Sequence, residues 1–365
     1  MDTAEAGICF PWVLFFERFW NTSGIASANT RPQRARVIAS IAFRDFKALR
    51  NTHVVLSPFN LVIGPNGSGK TSLIEALSRL RALSRLPLSD ATAGTRKAGG
   101  AEIEFTFAAP HDNIVARMGC VSDDVCDVLR IEPPDAGGWL QLRDALGTIR
   151  SYVLDHQAMS AAAKRGEGAE LKADGGNLAA VLANIRERAP DAFSALTEEL
   201  LRIAPEFGSL ELVEHADDSV EFAMRLAENG VVRSDELSQG TLYVLGILAL
   251  AFDPDPPHVL CIEEIDRGIH PRTLREIRDA LYRLSYPKSH GSDRRAVQII
   301  TTSHSPYFID LFREHPEEIV ISHKHGRAAQ FSRLSDRADL PELLREGSLG
   351  DMWYSGILGG VPEER

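Results

Sequence analysis

The chain has 365 residues and is 44% hydrophobic, enough for one large core or two ordinary ones. With 40 Lys and Arg against 51 Asp and Glu its net charge is −11, which argues against a nucleic-acid coat while leaving room for local basic patches. No apolar run approaches the roughly 20 residues of a membrane span, so no membrane partner is expected.

Residues 1–36 read as a peripheral N-terminal extension. Ile8 to Phe16 is apolar but short, and the acidic start does not suit a signal peptide. The alternative is a partner-binding arm rich in Phe and Trp. Residues 37–63 read as two strands flanking a turn at Leu49-Arg50-Asn51. The second, Asn60 to Ile63, is taken without Phe59. A helix follows from Ser72 to about Leu86, with Leu73, Leu77 and Leu80 at helical spacing.

Between that strand and that helix lies Gly64-Pro65-Asn66-Gly67-Ser68-Gly69-Lys70-Thr71, a full match to G-x-x-x-x-G-K-[ST]. Glycines let backbone N–H groups turn inward around phosphates, and the helix N-terminus adds its positive dipole end. Gly64, Asn66, Gly67, Ser68, Gly69, Lys70, Thr71 and Ser72 are the candidate phosphate-binding residues. Lys70 is expected to reach the β- and γ-phosphates, and Thr71 to hold Mg²⁺.

Residues 87–100 read as a loop. Ala101 to Ala108 and Asn113 to Val121 alternate in polarity, as an antiparallel sheet extension does. Residues 160–176 read as mobile. Helices follow around Leu178 to Ile185 and, after Pro190, around Phe193 to Ile203, then strands at Leu210–Val213 and Ser219–Leu226. The segment Gly240 to Phe252 is apolar all round and reads as a buried helix. Apolar strands at His258–Ile262, Val297–Thr301 and Ile319–Ser322, with a Pro271-led helix between the first two, point to a parallel two-faced α/β core.

Three further motifs follow the phosphate loop. Val259 to Ile262 runs into Glu263 and Glu264, so that one carboxylate can sit near Mg²⁺ and the next can polarise water. Leu237-Ser238-Gln239-Gly240-Thr241 stands just before that strand, with Ser238 also a plain N-cap. Thr301-Thr302-Ser303-His304-Ser305-Pro306 ends the next strand, where His304 could reach a γ-phosphate. The cysteines, Cys9, Cys120, Cys126 and Cys261, form no C-x-x-C pair, so neither a zinc hook nor a redox motif is expected, and a reducing cytoplasm fits. Two segments are locally basic, residues 31–50 at +5 and residues 272–295 at +4, and read as solvated faces.

In that order, these motifs resemble the ABC-type ATPase head of the SMC, RecF and OLD group, most nearly the stand-alone OLD-like AAA family ATPases of prokaryotic defence loci. The resemblance spans about residues 37–361. It implies a P-loop NTPase fold with a mainly parallel core sheet, an antiparallel sheet extension and a helical insert. The divisions would be 37–159 and 236–365 for the two ATPase lobes and 160–235 for the insert. It further implies ATP and Mg²⁺ as cofactors, Lys70, Glu264 and His304 as catalytic groups, and Thr71 and Glu263 as metal ligands. Ser238 and Gly240 would cap the nucleotide of the opposite protomer in a head-to-head homodimer, with Ile269-His270-Pro271 as the adjoining turn. Two features depart from the pattern. Ile265 and Asp266 stand where Pro and Glu are usual, and no glutamine is obvious for the Q-loop, Gln157 being a candidate. The segment after His304 lacks the acidic cluster of a Toprim nuclease, so any effector nuclease is expected on a separate protein. DNA is a compatible partner. A transporter subunit and a non-hydrolysing nucleotide sensor are the alternatives.

Overall fold

The computed structural model describes residues 36–86, 100–326 and 328–359. The expected N-terminal extension lies outside these apart from Arg36, as does all but Gly100 of the loop expected at 87–100.

Three strands, not two, lead to the phosphate loop: β1 (Ile38–Arg44), β2 (Thr52–Val55) and β3 (Phe59–Ile63), followed by α1 (Lys70–Ser84). Phe59 belongs to β3 and is fully buried, because the strand has apolar neighbours on both faces. Next come β4 (Ala101–Phe107), β5 (Val115–Cys120), β6 (Cys126–Glu132), α2 (Trp139–Gly147), β7 (Arg150–Tyr152), α3 (His156–Met159) and β8 (Ala163–Lys164). The middle of the chain holds α4 (Leu178–Arg188), α5 (Pro190–Ile203), β9 (Phe207–Glu214), β10 (Ser219–Leu226) and β11 (Val231–Arg233). It continues through α6 (Gln239–Ala251), β12 (Val259–Ile262), α7 (Pro271–Ser285), β13 (Gln298–Thr302) and α8 (Pro306–Asp310). The last elements are β14 (Ile319–His325), β15 (Ala328–Arg333), α9 (Leu340–Glu346) and α10 (Leu349–Tyr354).

The central sheet has the order β15-β14-β3-β13-β12-β7 and is parallel except for β15. Every residue of β3, β12 and β13 is buried, as a sheet covered on both faces requires. Side chains alternate between two cores. Leu61, Leu260 and Ile299 face one with α6 and α7, while Val62, Cys261 and Ile300 face the other with α1. An antiparallel sheet, β2-β1-β4-β5-β6, closes over the α1 side, and a third sheet joins β8, β9, β10 and β11. Buried Gln298 links the first two sheets: its Oε1 accepts from the N–H groups of Val37 and Ile38 at 3.0 and 2.9 Å, and its Nε2 donates to Ile38 O at 2.8 Å.

Residues 160–176 are tied down, contrary to expectation. Asn177 Oδ1 accepts from Lys172 N–H at 2.8 Å, and its amide donates to the carbonyls of Glu167 and Glu170 at 2.6 and 2.9 Å. Ala163 and Leu171 are buried in the core beneath. Polar composition hid an anchored loop whose backbone groups find an internal partner. Cys120 and Cys126, which no motif singled out in a chain expected in a reducing compartment, form a disulfide across the β5–β6 hairpin. Their five-residue gap lies outside the C-x-x-C pattern, and the hairpin register brings them opposite each other.

Candidate nucleotide site

The phosphate loop sits at the C-terminal end of β3, where a parallel sheet opens into a crevice. Its sharp course depends on glycine. Gly67 and Gly69 have φ of 72° and 94°. A β-carbon on Gly64 would lie 2.5 Å from Ser322 O, and one on Gly69 would lie 2.5 Å from a Leu49 methyl. The loop is therefore packed from outside and leaves its inner N–H groups to an anion. Lys70 Nζ donates to the carbonyls of Gly64 and Pro65 at 2.8 and 3.0 Å, holding the ammonium over the loop.

β12 lies one strand beyond β13 and delivers the two carboxylates to the same place. Thr71 Oγ1 donates to Glu263 Oε2 at 2.8 Å across 192 residues of chain. Glu264 stands in the left-handed region with φ 49°, its N–H donating to Thr302 Oγ1 at 2.9 Å. A strained non-glycine backbone held by a neighbour is a common feature of functional sites. His304 leaves the end of β13 beside them. Asn66, Gly67, Gly69, Lys70, Thr71, Ser72, Glu263, Glu264 and His304 all line one cleft of about 270 Å³. Gly64 and Ser68 lie buried in the body of the loop. Lys47, Ala48 and Thr302, to which sequence reasoning gave no role in the site, complete the wall. Lys47 pairs with Glu75 at 2.5 Å, a contact between the β1–β2 turn and α1 that no local pattern announces.

The charges are mutually perturbed. Burial lowers the Lys70 pKa to about 8, against the raising pull of Glu264 and Glu263. Burial raises that of Glu263, with Glu264 adding to the rise and the Thr71 hydroxyl opposing it. Burial first, then Lys70, holds His304 below the ordinary imidazole range. Hard oxygen donors from Thr71 and Glu263, beside a glycine cradle and a cation, suit a hydrated Mg²⁺ bound together with phosphates.

Ser238 and Gly240 are not in this cleft. They line a second one of about 400 Å³, with Thr241, Gly268, His270 and the end of α5, which shares no residue with the first. Ser238 caps α6, its Oγ accepting from Thr241 N–H at 3.1 Å. Gly240 is pressed on the following turn, where a β-carbon would lie 2.8 Å from Gly268 O. His270 caps α7 through Nδ1. Gln157 is exposed on α3 and lines neither cleft.

Residues 37–136 match the family described as "AAA ATPase domain", and residues 141–310 the family described as "AAA domain, putative AbiEii toxin, Type IV TA system". An SMC head bound to the C-winged helix domain of ScpA superposes with a TM-score of 0.56 at 16% identity, covering 81% of this chain and 96% of that one. An SMC head with an extended coiled coil, bound to the C-terminal domain of ScpA from Pyrococcus furiosus, gives 0.52 at 16% identity, over 85% and 100%. The fold is that of an ABC-type ATPase head. Similarity to the curated DNA replication and repair protein RecF is short. It is 43% identical over 44 residues in Erwinia tasmaniensis and 46% over 44 in Citrobacter koseri. The matched stretch spans 12% of either relative and 12% of this chain. Among the described residues, no helix is long and apolar enough to cross a membrane.

Proposed function

We propose that this chain binds ATP with Mg²⁺ and hydrolyses it as a homodimer whose closing and opening drives a separate effector. Lys70 and the loop N–H groups hold the phosphates, and Thr71 and Glu263 hold the metal. Glu264 orients and deprotonates the attacking water, and His304, neutral at pH 7, contacts the γ-phosphate. The observation that carries this reading is the 2.8 Å bond between Thr71 and Glu263, which joins the phosphate loop to the strand bearing Glu264 in one cleft.

The dimer is supported by the separation of the two clefts. A Ser238–Gly240 surface that shares nothing with its own phosphate loop has a natural ligand in the nucleotide of a second copy. The likeness to SMC heads bound to ScpA, and the short match to RecF, support a partner protein and a DNA-linked role, and the AbiEii-type match supports a role in defence. The lobes at 37–159 and 236–365 flank an insert at 160–235, and the cytoplasm is the expected compartment.

Steady-state ATP hydrolysis by the wild type and Glu264→Gln, with and without double-stranded DNA, tests the reading. It predicts turnover that falls at least about 100-fold in the variant. ATP binding without turnover in the wild type under every condition would replace the hydrolase with a nucleotide sensor.

A further inference from the structure

The β14–β15 hairpin grips the phosphate loop from the side opposite β13. Ser322 on β14 donates its hydroxyl to Ser68 O, and its carbonyl fills the space a Gly64 side chain would need. Ala329 on β15 lies against Gly69, and its N–H donates to Ala48 O at 2.7 Å, next to the cleft wall. Lys324 pairs with Ala329 in the hairpin register and follows Ser322 by two residues, so both emerge on the same face of β14. A β-carbon built on Gly67 would lie 3.5 Å from Lys324 Nζ. The ammonium thus stands at the apex of the loop, exposed, with no carboxylate within ion-pair distance among the described residues.

We propose that Lys324 is a second phosphate-positioning cation, reaching the nucleotide from the β14–β15 hairpin and complementing Lys70 from the opposite side of the loop. This deepens the nucleotide-site reading and rests on it. An ammonium on a flexible stem has the reach for a phosphate oxygen held by the loop. With no carboxylate to leave among the described residues, it can meet an arriving polyanion without first breaking a pair. Because the site is exposed, the contribution is modest and screened by salt.

Calorimetric titration with AMP, ADP and ATP in the presence of Mg²⁺ tests this for the wild type, Lys324→Ala, Lys324→Arg and Lys70→Ala. Lys324→Ala is expected to weaken ATP about three- to tenfold. The loss should be largest for ATP and smallest for AMP, and should shrink between about 50 and 500 mM salt. Lys324→Arg should restore most of the affinity, with thermal midpoints unchanged. An unaltered affinity in Lys324→Ala, alongside a failing Lys70→Ala, would overturn the role of Lys324 alone. So would a loss equal for AMP and ATP and indifferent to salt. ATP binding unaffected by Lys70→Ala would overturn the nucleotide-site reading itself.

Discussion

Lys70 is a cation whose burial depresses its pKa to about 8, and this has two measurable consequences. The unfolded chain titrates near 10.4, so between the two values the unfolded state holds more protons. The burial cost is therefore present in full below pH 8 and is relieved as pH rises toward 10.4. Lys70→Met should be more stable than the wild type at pH 7, with the gap closing above pH 8 in urea melts of the free protein. Second, ATP affinity should fall about tenfold per pH unit above pH 8, because binding then requires proton uptake. Lys70→Arg should lose that slope in titrations at neutral and alkaline pH. The cleft residues Lys70, Glu263, Glu264 and His304 were legible in the sequence, because each ends an apolar strand or follows a glycine loop. Lys47 and Lys324 were not. Each reaches the loop from a distant part of the chain, through turn geometry and strand register that spacing does not encode.

At the scale of elements, the phosphate loop is a three-sided joint between β3, the β1–β2 turn and the β14–β15 hairpin. Gly64 marks its tightest contact against backbone. Gly64→Ala should cost about 1–3 kcal/mol, since its β-carbon meets backbone at 2.5 Å and Ser322 cannot yield without moving β14. Chemical denaturation checks this, and a variant as stable as the wild type would show the joint to be soft. Gln298 makes a parallel case. Gln298→Leu keeps the volume but leaves Val37 and Ile38 N–H groups without partners, at about 1–3 kcal/mol. Buried strands such as β12 and β13, and the Pro271-led helix, were readable from apolar runs and breakers. The short α2, opened by Gly138 at φ 92°, was not singled out, although its buried Trp139, Leu142, Ala145 and Leu146 keep helical spacing. The anchored loop at 160–176 was not either, because hydrogen bonds of the Asn177 side chain rather than periodicity define it.

At the scale of the whole molecule, one sheet carries the phosphate loop, both carboxylates and His304 to a single edge, while Ser238 and Gly240 open elsewhere. Motif order in the sequence announced an ABC-type head, and the strand order places the loop, β13 and β12 side by side as that fold requires. It implied a second copy but did not identify the effector, since partner surfaces are written in exposed residues without periodicity. The central claim is that the cleft is completed by a second copy. Its most direct test is the light-scattering mass of Glu264→Gln with Mg²⁺ and ATP. The account predicts about twice the 40.1 kDa of one chain with ATP, and a single chain without nucleotide or when Ser238→Arg is added. A protein that binds ATP tightly yet stays at 40.1 kDa would contradict it.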